Sequence, residues 1–260
     1  MNDMTKTFLG GLDPELTARM MTRRSAVADL SKKAGMVAIA SAPLMLGVLA
    51  RNAFGQSGAL PQAIIDVLNF ALKLEYLESQ FYVTGLGKSG LIAAANLPVI
   101  QQISKHETAH VAFLKSALGS AAVAQPAFDF TAKGTFPDVM TNPATFLAVA
   151  QAFEDTGVRA YKGQAGALQS NPTFLTYALQ IHSVEARHAS EVRRIRGQKG
   201  WITGAQTDIA AATPNYAGED NTVQGGVNVA TFVGTNAATE AFDEPLTMAQ
   251  VLALVTPFFA

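Results

Sequence analysis

Two short segments of the chain place a glutamate and a histidine three residues apart. In HETAHVAF these residues are Glu107 and His110, and in VEARHASE they are Glu185 and His188. On a helix, this spacing puts both side chains on adjacent turns of one face, so each segment presents a carboxylate beside an imidazole. Both groups are common metal ligands, and the two motifs therefore predict a metal site.

Two further glutamates repeat a second pattern. Glu75 and Glu154 each precede a tyrosine by seven residues, and these tyrosines are Tyr82 and Tyr161. Glu154 follows Glu75 by 79 positions, and the second Glu-x-x-His motif follows the first by 78. The near-constant offset indicates an internal duplication of the residues that could do chemistry.

Together these residues match the ligands of a dinuclear metal centre. One glutamate from each of two helices, with a Glu-x-x-His motif from each of two others, is the ligand set of a dinuclear carboxylate site. Four carboxylates in an apolar bundle would repel one another and lose hydration unless they are protonated or neutralised by cations. Two divalent ions balance four negative charges. Mixed oxygen and nitrogen ligands suit two iron ions or two manganese ions, with zinc as a further candidate. The predicted metal ligands are Glu75, Glu107, His110, Glu154, Glu185 and His188.

Three neighbouring residues leave alternatives open. Glu78 could replace Glu75 as a ligand, although the matched spacings to tyrosine favour Glu75. His106 and His182 could contact the ligands from outside, and a hydrogen-bonded structural role is the favoured interpretation of both.

Tyr82 and Tyr161 are the candidate catalytic residues. Their hydroxyl groups could donate hydrogen bonds to the cluster or relay electrons, and the alternative is packing in which each hydroxyl is simply satisfied. Asp155 and Arg159 could orient the ligating imidazoles or balance charge. Ion pairing on a helix surface explains these two residues equally well.

Four long helices must position these side chains. Apolar residues recur at helical spacing, which predicts helices over about residues 61–84, 98–118, 143–169 and 172–196. An Asn-Pro pair opens each of the last two helices. Short links join the first helix to the second and the third to the fourth, whereas about 24 residues separate the second from the third. Two antiparallel hairpins with one long crossover form the connectivity of a ferritin-like four-helix bundle, so we predict an all-α fold.

Three strings carry a narrower resemblance. LEYLESQFY (74–82), HETAHVAFL (106–114) and FEDTGVRAY (153–161) resemble the bacterial ferritin-like domain family related to plant desiccation-related proteins, within the ferritin-like di-iron carboxylate superfamily. The resemblance covers about residues 60–200. It implies that Glu107 and Glu185 bridge two ions and that the other four ligands each bind one ion.

The resemblance implies a metal site more specifically than it implies a reaction. An oxidoreductase acting on O2 or hydrogen peroxide is expected, with ferroxidase, peroxidase or catalase-like activity. Rubrerythrins share the site but add a cysteine-rich electron-transfer module, and this chain has no cysteine, so a peroxidase would need an external electron donor. Manganese catalases share the bundle and need no reductant. The alternative is a non-enzymatic stress-related or surface protein in which the metal stabilises the bundle.

Composition excludes several other classes. The 260 residues have a formal net charge of −1, which argues against a nucleic-acid partner. The absence of cysteine excludes disulfide scaffolds, thiolate zinc sites and cysteine-ligated iron–sulfur clusters.

The two ends differ from the bundle predicted at 56–200. Residues 1–55 resemble an export signal, because TRRSAV at 22–27 is similar to a twin-arginine motif and an uncharged run follows at 35–50. We expect a periplasmic or extracellular protein, or one associated with a membrane through an uncleaved segment. The pattern of residues 201–260 predicts a loop-rich extension with a short terminal helix. We expect its apolar end to pack on the bundle or to mediate assembly of a homodimer or higher homo-oligomer.

Overall fold

The computed structural model of the protein describes residues 60–260. The predicted export signal at 1–55 lies outside the described residues. Within the described range, none of the helices is both long enough and apolar enough to cross a membrane.

The predicted all-α four-helix bundle is confirmed. The long helices in the described part of the chain are α1 (Gln62–Leu86), α2 (Leu97–Leu118), α3 (Pro143–Gln164) and α4 (Pro172–Ile195). α1 packs against α2 as one hairpin, and α3 packs against α4 as the other. The long crossover, residues 119–142, joins the two hairpins.

Asparagine side chains begin α3 and α4, as the Asn-Pro pairs predict. Asn142 accepts a hydrogen bond from the backbone N–H of Ala144 at 3.0 Å, and Asn171 accepts one from Phe174 at 3.2 Å. Each bond satisfies a backbone donor that has no partner inside the helix.

The end of α3 differs from the prediction. The helix ends at Gln164 rather than near residue 169, and a 3₁₀ turn follows at Ala165–Leu168. The last turn of α3 lies against the C-terminal extension, so close that a Cβ at Gly163 would lie 1.9 Å from the carbonyl oxygen of Leu246. This contact joins segments that are far apart in sequence, and local helix patterns contain no information about it.

Two large apolar clusters form the core of the bundle around the predicted ligands, and a third, smaller cluster lies between α3 and the C-terminal extension. α2 and α4 contribute to the first cluster on one side of their ligands and to the second cluster on the other, and α1 and α3 contribute residues to both clusters. In the first cluster, Phe81 stacks on Phe146 with ring centroids 4.7 Å apart. In the second, Leu72 and Leu114 are almost fully buried. The polar ligands therefore occupy a layer that apolar side chains close off at both ends.

Residues 201–260 form the predicted loop-rich extension and pack on the bundle. Its elements are a 3₁₀ turn (Ala210–Tyr216), strands β1 (Val223–Gln224) and β2 (Val227–Asn228), and helices α5 (Ala230–Val233), α6 (Thr235–Glu240) and α7 (Met248–Val255). Thr247 and Gln250 form the predicted capping box at the start of α7. Val251 and Val255 are buried in the cluster around Phe81, so the apolar end packs within the chain.

Arg159 of α3 attaches the extension to the bundle. Its side chain is 1% exposed, and its Nε lies 2.8 Å from a carboxylate oxygen of Glu219. It also donates hydrogen bonds to the backbone carbonyls of Asn215, Ala217 and Glu244. Arg159 therefore binds the extension and balances the charge of Glu219, in agreement with the predicted charge balance. The other two roles predicted for it, orienting the imidazoles and pairing on a helix surface, are wrong.

We predict that Arg159→Met destabilises the protein by about 3–5 kcal/mol, because it leaves the buried Glu219 carboxylate and three carbonyl groups without their donor. Thermal unfolding and limited proteolysis would measure the effect, with cleavage expected first within residues 201–245. Arg187→Met, at an exposed position of α4, is the matched control and should change little. Equal stability of the two variants would contradict this role of Arg159.

Candidate metal centre

The bundle brings all six predicted ligands together. Potential ligand atoms form two groups, and within each group they lie within 4.8 Å of one another. Glu107 and Glu185 belong to both groups. The first group adds Glu75 and His110, and the second adds Glu154 and His188. Two adjacent positions that share two carboxylates are the arrangement expected for a dinuclear centre.

The imidazoles point the same ring nitrogen toward the carboxylates. His110 Nδ1 lies 3.2 Å from an oxygen of each of Glu75, Glu107 and Glu185. His188 Nδ1 lies 2.7 Å from Glu107, 3.3 Å from Glu154 and 3.8 Å from Glu185. Each Nδ1 therefore faces a space that three carboxylates share.

Several of these atoms lack a hydrogen-bond partner, which is a test of whether cations fit. Among the described residues, the buried atoms without a partner include Oε1 of Glu107, Oε2 of Glu154, both carboxylate oxygens of Glu185, and Nδ1 of His188. The short contact of His188 Nδ1 to Glu107 is too poorly aligned to count as a hydrogen bond. Buried polar atoms in proteins are almost always paired, so five orphans around one point indicate a missing partner. A cation in each group would contact all of them.

The two tyrosines hold the outer carboxylates across the bundle. Tyr82 of α1 donates a 2.5 Å hydrogen bond to Oε1 of Glu154 on α3. Tyr161 of α3 donates one to Oε1 of Glu75 on α1. In both glutamates Oε2 is left facing an imidazole. The predicted donation by Tyr82 and Tyr161 is thus observed, whereas an electron relay stays a prediction.

A comparison with protein families agrees with this geometry. The family model for the ferritin-like domain matches residues 63–198, which is more than half of the chain. The chain belongs to this ferritin-like domain family. A search of curated proteins finds no match. The relation to desiccation-related proteins stays a prediction from the three strings quoted above.

A fifth carboxylate of the ferritin-like domain lies beside the ligands. Glu78 is 4% exposed but belongs to neither group of ligand atoms, so the preference for Glu75 over Glu78 agrees with the geometry. A Cβ at Gly157 would lie 3.2 Å from Oε1 of Glu78 and 3.5 Å from Oε2 of Glu185. Gly157 is the counterpart of Glu78 in the duplication. The absence of a side chain there leaves room for a carboxylate from the opposite helix.

Burial and mutual repulsion shift the pKa values of these carboxylates. Loss of hydration, followed by the charge of Glu185, raises the pKa of Glu78 and of Glu107 well above the usual range. Burial also raises the pKa of Glu154 to about 7, although His188 opposes the shift. Burial acts in the same sense on Glu185, but the nearby imidazoles of His110 and His188 stabilise its charged form, outweigh burial and lower its pKa to about 2.

The remaining polar neighbours differ in role. His182 Nδ1 lies 3.0 Å from the backbone carbonyl of Val158, in agreement with a structural role. Asp155 is buried and accepts two hydrogen bonds from Arg193 and one from Tyr216. Its pairing with the buried Arg193 agrees with the predicted charge balance. It neither orients an imidazole nor forms a surface ion pair, so those two interpretations of Asp155 are wrong.

His106 does contact a ligand. Its Nδ1 lies 2.8 Å from Nε2 of His188, on the side of that ring opposite the carboxylates. Its Nε2 lies 2.7 Å from the side-chain amide of Gln102. Sequence reasoning did not single out Gln102. Its position four residues before His106, on the same helix face, was the available indication.

We predict that the metal-free protein, prepared with a chelator, becomes more stable as the pH falls from 8 to 5.5. The pKa of Glu154, about 7, exceeds its usual value near 4.5, so between these values the folded protein retains a proton that the unfolded chain releases. The pKa of Glu107 is shifted in the same direction. His188, whose pKa Glu154 raises to about 12 against the effect of burial, adds to the trend down to about pH 6.5.

Thermal unfolding should show the melting temperature rising by about 5 °C or more over this range. Glu154→Gln should reduce the slope, and Asp66→Asn, at an exposed position of α1, should preserve it. A melting temperature that falls with the pH would contradict the predicted repulsion among the carboxylates.

Proposed function

We propose that this ferritin-like protein holds two iron or two manganese ions and is an oxidoreductase that acts on O2 or hydrogen peroxide. The observation that supports this proposal most directly is the pair of ligand groups that share Glu107 and Glu185. Four carboxylates and two neutral imidazoles balance two divalent ions in charge. The donor atoms are the oxygens and nitrogens that iron and manganese accept.

Two such ions would supply two-electron redox chemistry toward O2 or peroxide. The chain itself supplies the geometry. Tyr82 and Tyr161 hold one oxygen of each outer carboxylate and so set the direction in which the other oxygen points. The shared carboxylates, both 0% exposed, keep the two positions adjacent. The apolar clusters on either side exclude bulk water and strengthen every electrostatic contact in the layer.

The same tyrosines are candidates for the predicted relay of electrons. Burial, followed by the charge of the accepting glutamate, raises the pKa of Tyr82 and of Tyr161 well above the usual value, so both hydroxyls stay protonated. Each proton already lies on a hydrogen bond to a carboxylate oxygen. If the ring of Tyr82 lost one electron to an oxidised metal centre, the phenolic proton could pass to Oε1 of Glu154, and Tyr161 stands in the same relation to Glu75.

The degree of burial supports a second candidate function. The four ligating glutamates are fully buried, and among the ligands His110 has the most exposed side chain, at 12%. Substrate would have little access to a centre that is buried to this degree. The burial therefore favours a metal that stabilises the bundle and catalyses no reaction. Binding to the folded state alone would then raise stability by mass action.

We predict that the purified protein contains about two metal ions per chain and accelerates ferrous oxidation or peroxide consumption. Glu107→Gln should lose one or both ions, with a decrease in affinity of at least about 100-fold, because it removes a carboxylate shared by both positions. Elemental analysis, calorimetric metal titration and the two activity assays would measure this.

Glu191→Gln makes the same substitution at an exposed position of α4 and is the matched control, expected to retain metal and activity. Bound metal without turnover of any oxidant would favour the stabilising role over the oxidoreductase. Absence of metal binding in the wild type would contradict both candidate functions.

A further inference from the structure

The duplication of the ligands is not exact in the residues that contact them from outside. His106 precedes Glu107 directly, and its counterpart 78 positions later is Val184. Gln102, by contrast, has a matching counterpart in Gln180. His188 therefore has a histidine partner on its outer nitrogen, at 2.8 Å. Within residues 60–260, the hydrogen bonds of His110 involve Nδ1 alone.

The outer contacts of His188 are linked to the proton on its ring. A ring nitrogen that binds a cation carries no proton, so coordination through Nδ1 places the proton of His188 on Nε2. That N–H then donates to Nδ1 of His106, whose own proton must occupy Nε2. The Nε2 proton requires an acceptor, which the carbonyl end of the Gln102 amide provides when the amide turns by about 180°. Metal binding thus fixes which atom donates in each hydrogen bond of the series from His188 through His106 to Gln102.

The chain of contacts leads from the ligand to the surface. His106 and Gln102 line an open groove between α2 and α4, of about 580 Å³, and His188 also lines it. Arg187 and Glu191 complete its polar lining. The rings of His106 and His188 lie nearly parallel, at 13°, with centroids 5.1 Å apart. His188 is therefore held from the side opposite the carboxylates by an imidazole that is itself anchored at the groove.

We propose that His106 is a positioning residue that makes the two metal positions unequal. By fixing the tautomer and the ring orientation of His188, it lets the group with Glu154 and His188 bind its ion more tightly than the group with Glu75 and His110. This inference rests on the proposed dinuclear centre. Outer hydrogen-bond partners of ligating histidines typically change metal affinity by about 10–100-fold.

Calorimetric titration of the full chain with Zn²⁺ would test the inequality, with a competing chelator to resolve tight binding. The wild type should bind two ions in separate steps whose affinities differ by about 10-fold or more. His106→Val introduces the residue found at the duplicated position, and it should weaken the tighter step by about 10–100-fold while leaving the weaker step unchanged. His106→Asn, whose amide oxygen can accept the same hydrogen bond, should restore much of the loss.

His182→Val is the matched control, because His182 also precedes a ligand on its helix but bonds to the backbone carbonyl of Val158 instead of an imidazole. It should leave both binding steps unchanged. An equal loss in His106→Val and His182→Val would overturn the proposal, since the effect would then be general damage to the bundle.

A second measurement uses the wild type alone and does not depend on any variant folding. In the zinc-loaded protein, ¹⁵N NMR of the histidine rings should place the proton of both His188 and His106 on Nε2. A proton on Nδ1 of His106 would overturn the proposal, because His106 would then donate the hydrogen bond to Nε2 of His188 instead of accepting it.

The outcomes separate this inference from the function on which it rests. Two ions bound by the wild type with no change in His106→Val would overturn the role of His106 and leave the dinuclear centre intact. A wild type that binds no zinc, iron or manganese would overturn both.

Discussion

The convergence of four carboxylates in a dry helical bundle is the constraint on which the rest of the structure depends. Glu75, Glu107, Glu154 and Glu185 are all 0% exposed, and several of their oxygens have no hydrogen-bond partner among the described residues. Buried charges of one sign repel one another and lose hydration, so without cations the fold can tolerate them only by taking up protons. Two divalent ions would remove the conflict, so the same residues that destabilise the metal-free bundle are the ones that could hold metal.

The surrounding elements can be understood as the means of holding these carboxylates in place. Two hairpins contribute equivalent ligands, and the tyrosines bond across from one hairpin to the other, so neither hairpin can shift without moving an outer carboxylate. Apolar clusters close the layer at both ends. On the outside, Arg159 joins the extension to α3 through buried hydrogen bonds. The duplication departs from symmetry at Glu78, whose counterpart is Gly157, and at His106, whose counterpart is a valine. At these places the two proposed metal positions would differ in chemistry.

Sequence patterns could predict the four helices and the six side chains that the bundle brings together, because these depend on local periodicity and on regular spacing along a helix face. The asparagine caps were predictable for the same reason. Contacts between distant segments were not predictable, because tertiary packing determines them. Examples are the contact of the last turn of α3 with Leu246, the binding of Arg159 to the extension and the pairing of Asp155 with Arg193. The contact between His106 and His188 joins two helices. Spacing along one helix is compatible with this contact but cannot predict which residue of the other helix His106 meets.

The most direct test of the central claim is anomalous X-ray diffraction from crystals of the purified protein, with data collected on both sides of the iron and manganese absorption edges. We expect two anomalous peaks, about 3.5–4 Å apart, with Glu107 and Glu185 lying between them. One peak should lie beside His110 and the other beside His188. Crystals that contain metal with no peak in this layer, or with peaks only at the protein surface, would contradict the account.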